Sequence, residues 1–547
     1  MNIQHAQSRV GRLLFVIEAP KKVPRLKQVL ARLNVPAFEV IATQGKLFDI
    51  QEGHGISEDG QLASWAPISD ERIEFIQNKI QSAKRVIIAT DNDPEGEVIA
   101  AHVAALAQGK KMARMALGEL TESAVEKAMQ SLKSIDRKRV ENTVVRRVLD
   151  RWIGYALTET LENPNVSLGR VSTPLLADIE RRPLLRHSTR WALGREQTTV
   201  HSATPMDYVE VQATHNQIQQ AAQGVEAETV SMDLRPWSGP ELIKTVLERT
   251  EADLNDVSQA VQSLYEQGRI SYPRTSDQHF SQERAQALKA MSDHFGISRL
   301  SQARLAVISA ADEALGHGAL MHTDLSRVDP KKSIRECASL EEQIETLIAK
   351  RCAMAASDIT LEIEHKSLIV GSKCVMLETA RGQVPVWARE ALSNDEGFYA
   401  LKLDASKGIE RSLQSKAQAI FERGVELGVG SPSTLIGAAQ KTARWVTQDG
   451  ELSKLGRESL QAARILVPAL QEPEFAQALN EVLLSNVELE PEALFAEVLS
   501  QLVEDAVDEQ TRDMAAQLID QIDKRAMAPA PTSPKAAPSD GFDLNSF

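Results

Sequence analysis

The sequence predicts a multidomain protein that combines an α/β domain with a mainly α remainder. The chain has 547 residues, more than a single hydrophobic core usually supports, and 42% of them are hydrophobic. Near the N-terminus, short apolar runs alternate with helical patterns. After about residue 136, apolar residues at three- and four-residue spacing predominate. We therefore expect several packed domains, the first with a largely parallel sheet covered by helices.

Two apolar runs near the N-terminus are typical of buried strands. They are Leu13–Ile17 and Arg85–Thr90, and helical patterns follow at Val23–Leu33, Glu95–Ala107 and Glu122–Leu132. Ligands of parallel sheets bind at the carboxyl ends of the strands. Residues that directly follow the two runs are therefore the first candidates for a site.

The second half of the chain has strand patterns on both sides of a long helical block. Strands are expected at Tyr208–Ala213, Val225–Leu234, Ile359–His365 and Ser367–Glu378, and helices at about 240–355 and after Leu413. A helical domain inserted between two halves of a β-rich domain would give this order. After Arg525, Pro, Ala and Ser predominate, which indicates a disordered tail.

The composition argues against membrane, secreted and zinc-binding proteins. No apolar run reaches the length of about 18 residues that a membrane span needs. The run Leu13–Ile17 is too short for a signal peptide, so we expect a cytoplasmic protein. Cys337, Cys352 and Cys374 form no CxxC pair, so neither a zinc site nor a disulfide framework is supported. A metal ion would therefore have to bind oxygen ligands.

Charge is distributed unevenly along this acidic chain. The net charge is −14 and the pI about 5.4, which taken alone argues against nonspecific binding to nucleic acid. Residues 135–195 nevertheless carry twelve Lys and Arg against seven Asp and Glu. Such a strip could hold phosphates, but a solvated helix face with ion pairs explains the charge equally well.

A cluster of carboxylates follows the second predicted strand in the sequence ATDNDPEGE, residues 89–97. Asp91, Asp93 and Glu95 are closely spaced hard oxygen donors, which suit Mg²⁺. Glu18 directly follows the first strand, so in a parallel sheet it could reach the same edge. A carboxylic acid in such a cluster is also a candidate proton donor. The simpler alternative is that these acids are ordinary turn and N-cap residues.

A candidate nucleophile lies in the sequence GRISYPRTSDQHFS, residues 268–281, where Tyr272 is followed by Pro273 and Arg274. A tyrosine hydroxyl has a pKa of about 10 and attacks poorly unless a cation or base stabilises the phenolate. An arginine two residues away can bind a phosphate and the charge that grows during its transfer. Taken alone, the motif is more often a core-edge tyrosine before a helix-stopping proline.

In combination these motifs resemble known families. EAPKK, residues 18–22, with DNDPEGE resembles the Toprim fold of topoisomerases, bacterial primases and some nucleases. The YPRT sequence resembles the signature of type IA DNA topoisomerases. Further segments resemble that family in the expected order over about residues 12–480. They are GELTESAV at 118–125, VVRRVLDRWIGY at 144–155, SLGRVSTPLL at 167–176, GHGALMHTD at 316–324 and GVGSPST at 428–434.

The resemblance implies a toroidal core of four domains with an extension. The Toprim domain would comprise residues 11–133, and a helical domain that binds single-stranded DNA would comprise 134–195 and 424–503. A β-rich arch would comprise 196–234 and 356–423, and a helical domain carrying Tyr272 would comprise 235–355. Residues 504–547 would form a C-terminal extension that is disordered from about 525.

The resemblance also implies roles for individual residues. Tyr272 would attack a phosphodiester and become linked to the 5′ phosphate, and Glu18 would be the general acid. Arg274, Lys22 and His317 would lie at the phosphate. Mg²⁺ is the implied cofactor, with no ATP and no zinc, and its ligands would be Asp91, Asp93 and Glu95. The implied DNA contacts are Arg146, Arg147, Asp150, Arg151, Arg170, Ser172, Thr173, Thr275, Ser433 and Thr434.

Such a protein would act as a monomer on single-stranded DNA and on negatively supercoiled or catenated DNA. The absence of zinc ribbons looks closer to the topoisomerase III type, and the terminal GFDLNSF makes a single-strand-binding protein a candidate partner. Departures from the family pattern indicate a divergent member. They are Lys46, Pro94, Ser172, Ser276, Gly318 and Ser431. Two alternatives stay open, namely another Toprim enzyme (a primase or nuclease) and a catalytically silent relative that binds single-stranded DNA.

Overall fold

The computed structural model divides the chain into two compact units. Unit 1 comprises residues up to Pro174, Tyr265–Gly268 and the chain from Glu458 onward, whereas unit 2 comprises Leu175–Leu264 and Arg269–Arg457. The four predicted domains do not follow this division, since the predicted helical domain of residues 134–195 and 424–503 has residues in both units, and they stay a prediction. The described residues are 12–50, 55–56, 62, 65–159, 161, 163, 165–193, 196–232, 234–294, 301–309, 318–357, 361–381, 386–392, 410–432, 434–484, 489–504 and 506–527.

Unit 1 opens with a parallel sheet and a separate strand pair. The strands are β1 (Leu13–Ile17), β2 (Phe38–Ala42), β3 (Phe48–Ile50), β4 (Trp65–Pro67), β5 (Arg85–Ile88) and β6 (Met112–Arg114). The order β2-β1-β5-β6 is parallel throughout, while β3 and β4 form an antiparallel pair. This confirms the parallel sheet that the alternating pattern predicts.

Helices cover both faces of this sheet. They are α1 (Val23–Arg32), α2 (Asp70–Ser82), α3 (Pro94–Leu106) and α4 (Glu122–Gln130). Side chains of β1 alternate between two cores: Leu14 and Val16 pack in the core that includes residues of α2 and α3, while Phe15 and Ile17 pack with residues of α1 and α4. Because both faces are buried, β1 is apolar along its length instead of alternating.

A long basic helix follows the sheet domain in unit 1. Asp136 caps this helix, α5 (Arg137–Arg151), by accepting a hydrogen bond from the backbone of Arg139 at 3.0 Å. Its buried residues include Val140, Val144 and Val148, one helical turn apart, so this face packs while the arginines lie on others. A π-helical turn at Trp152–Ala156 leads into α6 (Leu157–Glu159) and then α7 (Ser172–Arg181).

Unit 2 contains a six-stranded sheet whose described strand pairs are antiparallel. The strands are β7 (His187–Leu193), β8 (Glu196–Ser202), β9 (Glu228–Met232), β10 (Leu361–Val370), β11 (Lys373–Arg381) and β12 (Glu410–Leu413). Their order is β12-β7-β8-β11-β10-β9. Strands from before and after the helical block therefore share one sheet, and the predicted boundaries of the β-rich domain stay a prediction.

Two predictions of secondary structure in this region were wrong. Residues 208–213, predicted as a strand, belong to α8 (Tyr208–Ala221). Asp207 caps this helix, and Val211, Thr214 and Ile218 are buried at helical spacing, so the short alternation of Tyr-Val-Glu-Val was misleading. Residues 187–193, predicted within a helical region, form β7, because Trp191 packs into the core of the sheet.

The helical block comprises α9 (Gly239–Arg249), α10 (Leu254–Glu266), α11 (Gln282–His294), α12 (Gln302–Ile308) and α13 (Leu340–Ala355). It belongs to unit 2 except for the last two residues of α10, Tyr265 and Glu266, which belong to unit 1. After the sheet come α14 (Lys416–Glu426) and α15 (Leu435–Thr442). Both groups were predicted as helical. A capping box at Ser238 and Glu241 fixes the start of α9, where the serine amide donates to the Glu241 carboxylate at 2.8 Å.

The chain continues through α16 (Lys454–Leu466), α17 (Pro473–Leu484), α18 (Pro491–Val503) and α19 (Glu509–Met527). The disordered tail predicted after Arg525 falls mainly on residues 528–547, which lie outside the described residues. Within the described part of the chain, no helix has both the length and the apolar character needed to cross a membrane.

Candidate active site and nucleic-acid interface

Residues that carry carboxylates follow two neighbouring strands at one edge of the parallel sheet. Glu18 follows β1 and Asp91 follows β5, and these strands are neighbours in which Val16 pairs with Ile88. The backbone amide of Ala89 donates to the carbonyl oxygen of Val16 at 2.7 Å, so the pairing continues to the end of both strands. We call this sheet edge, with Glu18, Asp91, Asp93 and Glu95, the acidic edge.

Lys22 and Asp91 form a buried ion pair at the acidic edge. The Lys22 Nζ lies 2.6 Å from Oδ1 and 2.7 Å from Oδ2 of Asp91, and Lys22 is only 1% exposed. The Tyr265 hydroxyl donates to Asp91 Oδ1 at 3.1 Å, and its ring centroid lies 4.2 Å from the Lys22 Nζ. The ammonium ion is thus stabilised by a carboxylate and by the face of an aromatic ring.

The turn after β5 is built around a helix N-terminus. Asp93 caps α3 by accepting a hydrogen bond from the amide of Gly96 at 2.6 Å, and Pro94 occupies the first turn, where its missing N–H costs nothing. A Cβ on Gly96 would stand 2.1 Å from the Asp91 carbonyl oxygen. Glycine is therefore required for the turn that presents Asp91 and Asp93 together.

A second buried ion pair, between Arg114 and Glu97, lies next to the same turn. Arg114 donates through Nε to Glu97 at 3.1 Å, and its other nitrogens donate to the carbonyl oxygens of Thr90 at 2.9 Å and Asp91 at 2.6 Å. Burial lowers the pKa of Arg114, and the carboxylate of Glu97 opposes this shift. Arg114 thereby fixes the backbone at the carboxyl end of β5.

Arginines of α5 contact acidic and amide groups of the sheet domain. Arg146 donates to Glu95 Oε1 at 3.0 Å, and Glu95 Oε2 lies 2.5 Å from Lys46 Nζ. Arg147 donates to both oxygens of Asp49, with the Nη2–Oδ2 distance at 2.6 Å. These ion pairs show that α5 lies against the acidic edge within unit 1.

Mg²⁺, which a Toprim domain implies, fits the chemistry of the acidic edge because its donors are carboxylate oxygens. Among the described residues, however, no three His, Cys, Asp or Glu side chains form a ready cluster for a metal ion. Asp91 and Glu95 contact lysine and arginine instead, and Asp93 caps α3. An ion that bound these carboxylates would therefore replace the cationic side chains.

The remaining predicted DNA contacts of unit 1 lie at the end of α5 and around the start of α7. Arg170, almost fully buried, donates to Asp150 at 2.8 Å. The hydroxyl of Thr173 accepts a hydrogen bond from the Gly169 amide at 3.1 Å, and Ser172 is also buried. The guanidinium of Arg151 stacks over the Tyr155 ring at 5.8 Å.

The tyrosine of the YPRT motif lies in unit 2, in an irregular segment after α10. Tyr272 is 2% exposed, whereas Arg274 is exposed. The Ser271 amide donates to the Met321 carbonyl oxygen at 2.9 Å, and the Gly239 amide donates to that of Thr275 at 2.8 Å. The segment is thus anchored on both sides of Tyr272.

Two of the predicted site residues, His317 and Ser433, lie outside the described residues. Gly318, next to the first, donates through its amide to the Asp277 carboxylate at 3.0 Å, which ties this segment to the YPRT motif. Thr434 is exposed, and its hydroxyl accepts a hydrogen bond from the Ser431 amide at 2.9 Å.

Sequence reasoning missed several residues that complete these sites. Tyr265 and Arg114 contact Asp91, and Lys46 was noted only as a departure from the family pattern. His322 was also missed: it is 3% exposed and lies 3.0 Å from Glu345 through Nε2. Tyr265 could have been noticed as an aromatic residue seven positions before Tyr272. Nothing in the sequence indicates the partners of Arg114 or His322.

Comparisons with known proteins show which families the chain resembles. Residues 13–120 match the Toprim domain family, and residues 134–384 match a DNA topoisomerase family. A DNA topoisomerase 1 of Campylobacter jejuni is 32% identical over 180 residues, covering 31% of this chain and 25% of the relative. One of Synechococcus elongatus is 26% identical over 340 residues, covering 51% of this chain and 38% of the relative. The chain thus matches well under half the length of these relatives.

The full-length topoisomerase I of Thermotoga maritima has a similar fold, with a TM-score of 0.61 at 18% identity over 90% of both chains. Fold and site therefore define a Toprim-containing protein with a topoisomerase core. With both family matches, the chain combines a Toprim domain with a segment of the DNA topoisomerase family. The closer relation to the topoisomerase III type stays a prediction.

Proposed function

We propose that this protein is an ATP-independent type IA DNA topoisomerase that cuts one strand, passes another strand and reseals the cut. The observation that carries the proposal is the combination of two matches in one chain: a Toprim domain with Lys22 and Asp91 paired at its acidic edge, and a topoisomerase match that includes Tyr272. A Toprim primase or nuclease needs no such tyrosine.

In the proposed cleavage step, the phenol of Tyr272 loses its proton to water, and its oxygen attacks the phosphorus of a phosphodiester in single-stranded DNA. A bond forms between that oxygen and the 5′ phosphate, and the bond to the 3′ oxygen breaks. Glu18 donates the proton that the leaving 3′ oxygen takes up. Arg274, Lys22 and His317 supply positive charge or hydrogen bonds to the phosphate.

Religation reverses this transfer. The 3′ hydroxyl attacks the phosphotyrosine, Glu18 takes back its proton, and Tyr272 leaves and takes up a proton from water. The phosphotyrosine preserves the energy of the phosphodiester bond, so ATP is not needed. Asp91, Asp93 and Glu95 would hold Mg²⁺, which supplies positive charge beside the reacting strand ends when bound.

The cations of α5 and its surroundings would hold the strand. Phosphate contacts fix the register of a nucleic acid without reading its sequence. The proposed contacts are Arg146, Arg147, Asp150, Arg151, Arg170, Ser172, Thr173, Thr275, Ser433 and Thr434. Because Tyr272 is almost fully buried, cleavage requires a rearrangement that brings it to the strand.

The proposed substrates are negatively supercoiled or catenated DNA with single-stranded regions. We further propose a cytoplasmic monomer, with a single-strand-binding protein as a candidate partner. Negatively supercoiled plasmid tests the proposal: the wild type should relax it without ATP, and Tyr272→Phe should be inactive while still binding single-stranded DNA.

The same experiment separates the alternatives. Strand cleavage that persists in Tyr272→Phe would favour a nuclease. A wild-type protein that binds DNA but leaves the plasmid unchanged would favour a silent relative.

A further inference from the structure

Both carboxylate oxygens of Glu95 are held by cations in the DNA-free chain. Oε1 accepts from Arg146 at 3.0 Å, and Oε2 lies 2.5 Å from the Lys46 ammonium. The side chain of Glu95 is 30% exposed, that of Arg146 is 17% exposed and that of Lys46 is 18% exposed. Because water reaches them only partly, their attraction is screened less than that of surface ion pairs.

These cations belong to the surface that would hold DNA. Arg146 is on α5, among the proposed phosphate contacts, and Lys46 follows a turn in which Gln44 and Gly45 both have positive φ. The neighbouring Arg147 is held in the same way by Asp49. In the absence of DNA, acidic side chains thus neutralise the arginines that a phosphate would need.

A divalent ion competes with Arg146 and Lys46 for the two oxygens of the Glu95 carboxylate. An ion that binds Glu95 displaces Arg146 and Lys46 and leaves them available to phosphates. Conversely, a phosphate that draws these cations away leaves Glu95 without compensating charge, and its attraction for a divalent ion increases.

We propose that Glu95 couples Mg²⁺ binding to single-stranded DNA binding, so that each ligand releases the groups that the other needs. The inference rests on the proposed function, which supplies the DNA substrate. Such coupling is reciprocal: the factor by which Mg²⁺ tightens DNA binding equals the factor by which DNA tightens Mg²⁺ binding.

The test uses the full chain with Tyr272→Phe, which prevents cleavage, and fluorescein-labelled oligo(dT). Fluorescence anisotropy measures the Kd with and without Mg²⁺ at constant ionic strength. We expect Mg²⁺ to tighten binding by about fivefold in this parent. Glu95→Gln in this parent should lower the Kd for oligo(dT) in the absence of Mg²⁺. It should also abolish the change in Kd that Mg²⁺ causes in the parent.

Glu39→Gln in the same parent is the matched control. Glu39 forms an equally short ion pair with Lys79, at 2.5 Å, but on β2 and α2. This control should keep the full effect of Mg²⁺. Thermal unfolding of each variant checks that the fold is retained.

Calorimetric titration of Mg²⁺ with and without oligo(dT) should give the same coupling factor. An effect of Mg²⁺ that is absent in the parent, or unchanged by Glu95→Gln, overturns the inference while leaving the proposed function intact. A parent that does not bind oligo(dT) at all overturns both.

Discussion

Gly239 lies so close to Pro273 that a Cβ on Gly239 would stand 2.0 Å from the Pro273 carbonyl oxygen. The first residue of α9 thus holds the backbone that immediately follows Tyr272. The Gly239 amide also donates to the Thr275 carbonyl oxygen at 2.8 Å, so the contact is both steric and polar. A glycine in another element therefore controls where the proposed nucleophile lies.

We expect Gly239→Ala to displace the Tyr272 segment and to lower strand cleavage by at least about tenfold, since small misplacements of reacting groups are costly. Binding of single-stranded DNA should change little. Gly437→Ala in α15 is the control, because nothing lies within 4 Å of the Cβ it would add. The measurement is cleavage of a labelled oligonucleotide; equal activity of both variants would argue against this positioning role.

A second prediction concerns the buried pair of Lys22 and Asp91. Lys22→Met should lower the free energy of unfolding by about 3 kcal/mol, because it leaves a buried carboxylate without its cation. Lys22→Met combined with Asp91→Asn should cost less than the sum of the two single changes. Urea unfolding of the four proteins measures this. Simple additivity would mean that the pair is not coupled in solution.

His102 gives a prediction about pH. It is fully buried between Phe48 and Trp65, with ring centroids 5.4 and 5.1 Å away, and neither ring nitrogen has a hydrogen-bond partner among the described residues. Burial, with a contribution from the positive charge of Lys46, lowers the pKa of His102 from 6.5 to about 3. The unfolded chain therefore binds a proton that the folded chain does not between these values.

Stability should consequently fall as the pH decreases from about 6.5 towards 3, by up to about 1.4 kcal/mol per pH unit from this residue. His102→Leu should flatten that part of the curve and should not lower stability at pH 7, because no hydrogen bond is lost. Thermal unfolding across this pH range is the measurement. If the stability of His102→Leu varied with pH as that of the wild type does, the imidazole of His102 would be in contact with water, and the prediction would be wrong.

Sequence patterns predicted the sheet domain well because its signals are local. β1 and β5 are apolar runs buried on both faces. The positions of Glu18 and Asp91 after these strands follow from the rule that the carboxyl ends of parallel strands meet at one edge of the sheet. The strand prediction for Tyr208–Ala213 was wrong because it also relied on a local signal, the short alternation of polar and apolar residues. The capping residue Asp207 starts a helix there instead.

The partners of the site residues could not be predicted, because they come from distant parts of the chain. Nothing in the sequence indicates that Tyr265 would donate to Asp91, 174 residues earlier, or that Arg147 would bind Asp49, 98 residues earlier. The basic strip was ambiguous on charge alone. In the structure several of its arginines, among them Arg146, Arg147 and Arg170, form ion pairs with carboxylates, and DNA binding by them stays a proposal.

Trapping the covalent complex is the most direct test of Tyr272 as the nucleophile. The protein is incubated with 5′- or 3′-labelled single-stranded DNA, denatured and digested, and the peptide that carries the nucleotide is sequenced by mass spectrometry. We expect a phosphodiester on Tyr272 that retains only the DNA downstream of the cut, with a free 3′ hydroxyl on the other fragment. An adduct on another residue, or cleavage without any adduct, would contradict the proposed mechanism.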